Sequence, residues 1–319
     1  MKIAILGVGL IGGSIGLAAH RAAARDEAGG SRGGGSVHVS GFDPEPAALE
    51  AALALGAIDE ACSGIAEAAE DAEIVFAAGP VSTLAASARA ALLAARGSCL
   101  VTDVGSTKRG VMAQLKEFAA SGAFIGGHPL AGAELSGVKH ARADLFDGAL
   151  WCLTPRSGSE AGGGASPRSD GPQVGGGGSE AGGGEQRRAR LIATIEMLGA
   201  RPLELRAEEH DRLMAEVSHL PHILASLLMH ELERSEIAER LAASGPSFMD
   251  GTRVAGSASG LWADIYAANA DMLCAAVDRA ISGLEEVKGM LARCEADRLY
   301  AWHEAARRRR EALRGGAQL

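Results

Sequence analysis

The chain has 319 residues, 47% of them hydrophobic and 22% charged, which is long enough for two domains with a substantial core and ordinary for a soluble globular protein. Its net charge of −9 argues against a nucleic-acid or membrane-surface partner, while leaving local cations free to hold an anionic substrate. No apolar run reaches membrane-spanning length, Met1 leads straight into a strand with no room for a signal peptide, and Cys62, Cys99, Cys152, Cys274 and Cys294 are scattered without a C-x-x-C pair; neither a zinc site nor a disulfide framework is indicated, and a cytoplasmic setting is expected.

The first element is KIAILGVGLIGGS, residues 2–14. Apolar residues 3–6 read as a buried strand. Gly7, Gly9 and Gly12 follow in G-x-G-x-x-G spacing, and Leu10, Ile11, Ile15 and Leu17 return at helical intervals. At such a strand-to-helix turn Gly7 makes the bend, Gly9 admits a pyrophosphate to the backbone, and Gly12 lets the helix pack on the strand. The helix N-terminus adds free N–H groups and the positive end of its dipole. Gly7, Gly9, Leu10, Ile11 and Gly12 are therefore candidate dinucleotide contacts, with a purely structural turn as the alternative. The second half of the fingerprint is VHVSGFD, residues 37–43. Asp43 would accept the ribose hydroxyls of NAD and repel the extra phosphate of NADP; it also reads as a turn residue and helix cap before Pro44. It lies beyond the usual spacing of about 20 residues, because DEAGGSRGGGS at 26–36 reads as an inserted loop.

Helix and strand then alternate. Helices are expected at 44–55, 81–95 and 108–120, and strands at 73–78, 98–102 and 123–126. That order predicts an α/β, Rossmann-type parallel sheet with helices on both faces and the chemistry in the turns after the strands. Further strands are expected at 149–153 and 201–205, separated by a disordered glycine-rich insertion at 156–185, where SEAGGG occurs twice, and a helix at 186–198. From 207 onward the period is helical, at 208–217, 219–243, 261–282 and 284–314, with an interruption at 244–260. The expected organisation is a dinucleotide-binding domain at 1–206 and an all-α substrate domain at 207–319. The surplus of apolar positions in the second predicts a homodimer. The basic run 307–310 has Glu304 and Glu311 at pairing distance and reads as a solvated helix end.

GGHPLAGAELSG at 126–137 carries the most specific signal. His128 leaves a strand at the cofactor edge, is directed by Pro129 and stands near Glu134. A neutral imidazole can accept a proton from a substrate hydroxyl; read alone, His128 is equally a turn histidine bonded to backbone. His219 and His222 are three residues apart and share a helical face. They read as substrate contacts or as structural histidines, since a catalytic zinc would need a third ligand that is not evident.

GLIGGS at Leu10, DVGSTK at Asp103, GGHPLAGAE at Gly126, SHLPH at Ser218 and GTRVA at Gly251 occur in order, and together they resemble the prephenate/arogenate dehydrogenase family of tyrosine biosynthesis. The resemblance implies oxidative decarboxylation of a cyclohexadienol, with hydride passing to NAD(P)+. By the same resemblance His128 takes the ring hydroxyl's proton, Ser106 bonds near that histidine and the nicotinamide, Arg253 holds a substrate carboxylate, and His219 and His222 face the substrate. Trp262 and Asp250 match residues near the family's site, although core packing accounts equally well for Trp262; Glu134 would gate or polarise. Three departures stand out. Ala258, Ser259 and Gly260 occupy the place of a frequent Asp-Pro pair, Ala133 that of a frequent threonine, and the βαββαβ regulatory domain that some members append is not expected. The other readings are a 3-hydroxyacid dehydrogenase, which would use a lysine such as Lys108, and a non-catalytic NAD sensor.

Overall fold

The computed structural model describes residues 1–28, 36–132, 135–154, 180–233 and 245–314. They divide into two compact units, Met1–Asn269 and Ala270–Leu319. The first is built on a sheet of β1 (Lys2–Leu6), β2 (His38–Phe42), β3 (Glu60–Ala61), β4 (Ile74–Ala77), β5 (Leu100–Asp103), β6 (Phe124–Pro129), β7 (Leu150–Thr154) and β8 (Arg201–Glu204). Their spatial order is β3-β2-β1-β4-β5-β6-β7-β8. Side chains alternate between two apolar layers: Ile3, Ile5, Ile74 and Phe76 pack on one face, and Ala4, Leu6, Val75 and Val101 on the other. Both faces are covered by helices, so the central strands β1, β4, β5 and β6 are buried along nearly their whole length, as a covered parallel sheet requires.

One expectation fails in part. The sheet is mostly but not wholly parallel: β7 runs antiparallel to β6, with His128 opposite Cys152, and β8 runs parallel to β7. Between Pro129 and Leu150 the described residues contain only a short 3-10 turn, Val138–His140. Without a crossover helix the chain returns down the sheet rather than re-entering from the same end.

The helices of this unit are α1 (Leu10–Ala28), α2 (Pro46–Leu55), α3 (Ile65–Ala69), α4 (Val81–Ala94), α5 (Arg109–Gln114), α6 (Lys116–Ala120), α7 (Glu180–Met197), α8 (Ala207–Met214), α9 (Leu220–Glu233), α10 (Pro246–Thr252) and α11 (Ser259–Ala268). Of the inserted segments expected from sequence, residues 29–35 and 155–179 lie outside the described residues, and α7 begins at Glu180 rather than at 186. The helix expected over 219–243 is preceded by a π-helical turn, Ala215–His219. Pro221 explains the wider turn: its ring would clash with the carbonyl of Val217 in regular α geometry.

The second unit holds α12 (Ala270–Ala292) and α13 (Ala296–Arg314). The break falls at Cys294, whose φ is +54°, and not at Gly283, which stays inside α12. In α13 Arg307 pairs with Glu304 and Glu311, and Arg308 with Glu304. No helix among the described residues is long and apolar enough to cross a membrane.

At the carboxyl edge of the sheet Lys108 and Asp103 form a fully buried ion pair. Asp103 also accepts the amides of Gly105 at 2.9 Å and Gly127 at 3.0 Å. Removing the carboxylate strands a buried ammonium, whereas removing the ammonium leaves an anion that still has amide donors. Asp103→Ala should therefore cost about 3–5 kcal/mol in urea unfolding and Lys108→Met clearly less; the reverse order would refute this account of the pair.

Candidate active site

The glycine turn has the geometry of a phosphate cradle. Gly7 adopts φ +102° and donates its amide to the Phe42 carbonyl at 2.8 Å. A Cβ on Gly12 would sit 2.0 Å from the Gly7 oxygen, whereas one on Gly9 would meet nothing within 4 Å. The space over Gly9, beside the N-terminus of α1 where Leu10 and Ile11 form the first turn, fits a pyrophosphate. Asp43 binds the turn to β2: Oδ2 accepts the Val8 amide at 3.0 Å, and Oδ1 accepts that of Glu45 at 3.0 Å. The turn-residue reading of Asp43 is thus visible in the structure, and the half-buried carboxylate keeps further lone pairs for ribose hydroxyls.

His128 is buried in the last turn-ward residues of β6, at the same carboxyl edge as the glycine turn. The preceding amide, Gly127, is fixed by Asp103. Half-buried Ser106 lies in the turn after the neighbouring strand β5. His128 Nδ1 lies 2.9 Å from His210 Nε2, and His210 Nδ1 lies 2.8 Å from Asp211 Oδ1. Asp211 is wholly buried. It accepts the amides of Lys108 at 2.6 Å and Arg109 at 2.9 Å, and the Arg109 Nε–H at 3.3 Å.

A second branch leaves the same anchor. Arg109 donates to Asn269 Oδ1 at 3.1 Å, which fixes the amide so that Nδ2 donates to the Asp211 carbonyl at 2.7 Å and faces His219 Nδ1 at 3.3 Å. His219 Nδ1 is then an acceptor and Nε2 carries the proton. That N–H is buried without a hydrogen-bond partner, a donor held ready for a ligand oxygen.

His222 stacks on Trp262 with ring centroids 3.5 Å apart, and its Nδ1 meets the Tyr266 hydroxyl at 2.7 Å. His219 meets the same indole edge-on at 6.1 Å. The structure therefore brings together His128, His219, His222 and Trp262. Arg253 begins an exposed 3-10 turn, Arg253–Gly256, which packs on α9; Asp250 is exposed at the end of α10. Glu134 lies outside the described residues.

Burial keeps these imidazoles neutral. Desolvation, then the charges that would build up with His210, Lys108 and His219, holds His128 well below the ordinary value of 6.5. His219 is lowered to about 4, chiefly by burial and against the pull of Asp211. Burial also lowers His222, opposed by the Val254 backbone. For Asp211 burial pushes upward, but hydrogen bonds from His210 and from the Arg109 and Lys108 amides outweigh it, so it stays ionised.

Sequence reasoning missed His210, Asp211, Arg109, Asn269 and Tyr266. A signal was present for the first pair. The buried positions from α8 onward include His210, Asp211, Met214, Ala215, His219 and His222, a helical face on which a His-Asp dipeptide stands where apolar residues belong.

Residues 31–162 match the family model described as prephenate dehydrogenase, nucleotide-binding domain, and residues 206–305 match prephenate dehydrogenase, dimerization domain. The prephenate dehydrogenase of Bacillus subtilis is 32% identical over 98% of this chain and 76% of its own length. The cyclohexadienyl dehydrogenase of Zymomonas mobilis is 30% identical over 98% of this chain and 96% of its own. Among solved structures, prephenate dehydrogenase from A. aeolicus in complex with hydroxyphenyl propionate and NAD+ superposes with a TM-score of 0.80 at 25% identity, covering 98% of each chain.

The depressed histidines tie stability to pH. Below pH 6.5 the unfolded chain takes up protons that His128, His219 and His222 refuse in the fold, so stability is level above that pH and falls beneath it. Each proton contributes a slope of about 1.4 kcal/mol per pH unit. Denaturant unfolding between pH 5 and 7 checks this: His219→Gln should flatten the slope, and stability that rises on acidification would contradict it.

Proposed function

The chain belongs to the prephenate dehydrogenase family, and on that premise we propose that it converts prephenate to 4-hydroxyphenylpyruvate by oxidative decarboxylation, with NAD+ as its cofactor, in the cytoplasm and as a homodimer. The observation that carries this reading is a buried, neutral His128 at the sheet edge that also holds the glycine cradle. Bound NAD+ supplies the hydride acceptor.

The protein's own groups do the rest. Gly7, Gly9, Leu10, Ile11 and Gly12 receive the pyrophosphate, and Asp43 receives the adenosine ribose and disfavours NADP. Ser106 orients the nicotinamide side of the site. His128 accepts the hydroxyl proton as that carbon gains carbonyl character, an interaction stronger in the transition state than in the ground state. Arg253 holds a carboxylate through its planar fork, Asp250 lies three residues before it in the chain, and Glu134 gates or polarises. The His219 N–H and His222, braced by Trp262, contact the substrate's remaining oxygens. Loss of carbon dioxide then aromatises the ring, which makes the reaction irreversible.

Arogenate is a second substrate on this reading, favoured by the similarity to the cyclohexadienyl dehydrogenase. The 3-hydroxyacid alternative is weakened because Lys108 is fully buried and paired with Asp103. Homodimerisation is supported by the dimerization-domain match and by exposed Leu224, Leu227 and Leu228 on α9 and Tyr300 and Trp302 on α13; the five free cysteines suit a reducing compartment.

NADH absorbance with prephenate and arogenate, each against NAD+ and NADP+, tests the proposal directly. His128→Asn should lower kcat by about 10²–10⁴ with little change in KM. Arg253→Ala should chiefly raise KM. Equal, small effects in the two variants would remove the assignment. Because the free base titrates below 6.5, the acid limb of kcat/KM should also lie below that pH; a limb above 7 would contradict a base in this environment.

A further inference from the structure

We propose that His210 and Asp211 are the positioning pair of the reaction, fixing which nitrogen of His128 carries a proton and sharing the proton that His128 borrows. The proposal rests on reading His128 as the base, and it begins from hydrogen-bond logic. Asp211 is an ionised carboxylate and can only accept. His210 Nδ1, 2.8 Å from it, must therefore be the donor. A neutral His210 then has only a lone pair on Nε2, and that atom lies 2.9 Å from His128 Nδ1. His128 must donate there, so its proton sits on Nδ1 and its Nε2 bears the lone pair. Without the pair, a buried imidazole could choose the other tautomer and present an N–H, which cannot act as a base.

The pair also accounts for where the proton waits. The substrate carries a hydroxyl on the carbon that loses hydride, and the phenol product carries one on the same carbon, so no proton is released overall. As the C–H pair leaves as hydride for NAD+, the O–H bond breaks, its electrons form the carbonyl, and the proton joins His128 Nε2. The Nδ1–H of the resulting imidazolium can move toward His210 Nε2, whose own Nδ1–H faces Asp211, so the positive charge is spread along a chain that ends on an anion. When the carboxylate's C–C bond breaks and releases carbon dioxide, its electron pair enters the ring, the oxygen regains phenolate character, and the proton returns to it. The chain is internal: His210 and Asp211 are wholly buried, and neither is placed against substrate.

Asp211 is tied to the Lys108 and Arg109 amides, so its replacement risks the fold. The decisive variants are at His210. Gln can accept the His128 proton through its amide oxygen and donate to Asp211 through its amide nitrogen, which keeps the tautomer and removes only the sharing. Phe removes both. With prephenate and NAD+, His210→Phe should lower kcat by roughly 100-fold or more, on the scale of general-base catalysis, with KM changed less than about threefold. His210→Gln should recover most of that loss. Nitrogen-15 NMR of histidine-labelled wild-type protein without substrate should show Nδ1–H, Nε2-lone-pair imidazoles for both His128 and His210. A His128 proton on Nε2, or equal kcat losses in the two variants, would overturn the proposal. If no cyclohexadienol yields NADH, the functional reading fails, while the NMR pattern still decides the pair.

Discussion

The buried carboxylate of Asp211 is the interaction on which the site depends. An isolated anion in this interior would be prohibitive, but Asp211 is met by two backbone amides, a guanidinium N–H and an imidazole N–H. Those donors keep it charged, and the charge in turn dictates how the neighbours orient. Along one branch it makes His210 a donor at Nδ1, and so makes His128 an acceptor at Nε2. Along the other, Arg109 and the Asp211 carbonyl orient Asn269, which makes His219 a donor at Nε2. Two histidines of similar burial are thereby given opposite tautomers by one anchor. On the proposed reading a base and a hydrogen-bond donor result from the same side-chain type, because environment decides which nitrogen is protonated.

The anchor also joins the turn after β5 to the helices that follow the sheet. Asp103 fixes Gly127 and hence the approach of β6 to His128, Lys108 neutralises Asp103, and the amides of Lys108 and Arg109 reach Asp211. One short segment, residues 103–109, thus sets both the backbone that presents His128 and the chain that orients its ring. Precision of this kind comes from satisfied buried polar networks, which are rigid because any unpaired member is costly.

Much of this was legible in the amino-acid sequence. The glycine spacing at residues 7–12, the placement of His128 at a strand end and the shared face of His219 and His222 followed from period and motif, because each expresses local geometry. The reversal of β7 was not legible: strand periodicity carries no direction, and only the lack of a crossover helix among the described residues between Pro129 and Leu150 decides it. The helix break at Cys294 escaped for the opposite reason, since an isolated glycine at 283 looks like the better stop and a non-glycine residue at positive φ leaves no compositional trace. His210 and Asp211 escaped because their role is relational. His210 contacts His128 across 82 positions of sequence and Asp211 reaches it only through His210, and only their presence on a helical face where apolar residues belong hinted that they were paired.

The depressed pKa of His128 suits a proton that is borrowed and returned. In the free site, burial and the neighbouring His210, Lys108 and His219 hold the ring neutral, so its lone pair is available through the neutral range. On the proposed reading the arriving substrate brings two carboxylates, and an opposite charge brought near an imidazole raises its proton affinity. The base therefore gains strength when the substrate is bound; carbon dioxide then leaves neutral, and the charge it leaves behind passes through the ring to the oxygen beside His128, which becomes the stronger base and takes the proton back. Proton affinity that passes from the imidazole to the new phenolate oxygen is what a transfer without net proton release requires. It needs no movement of the fold, only a low-dielectric pocket in which negative charge migrates from the substrate's carboxylate to its ring oxygen.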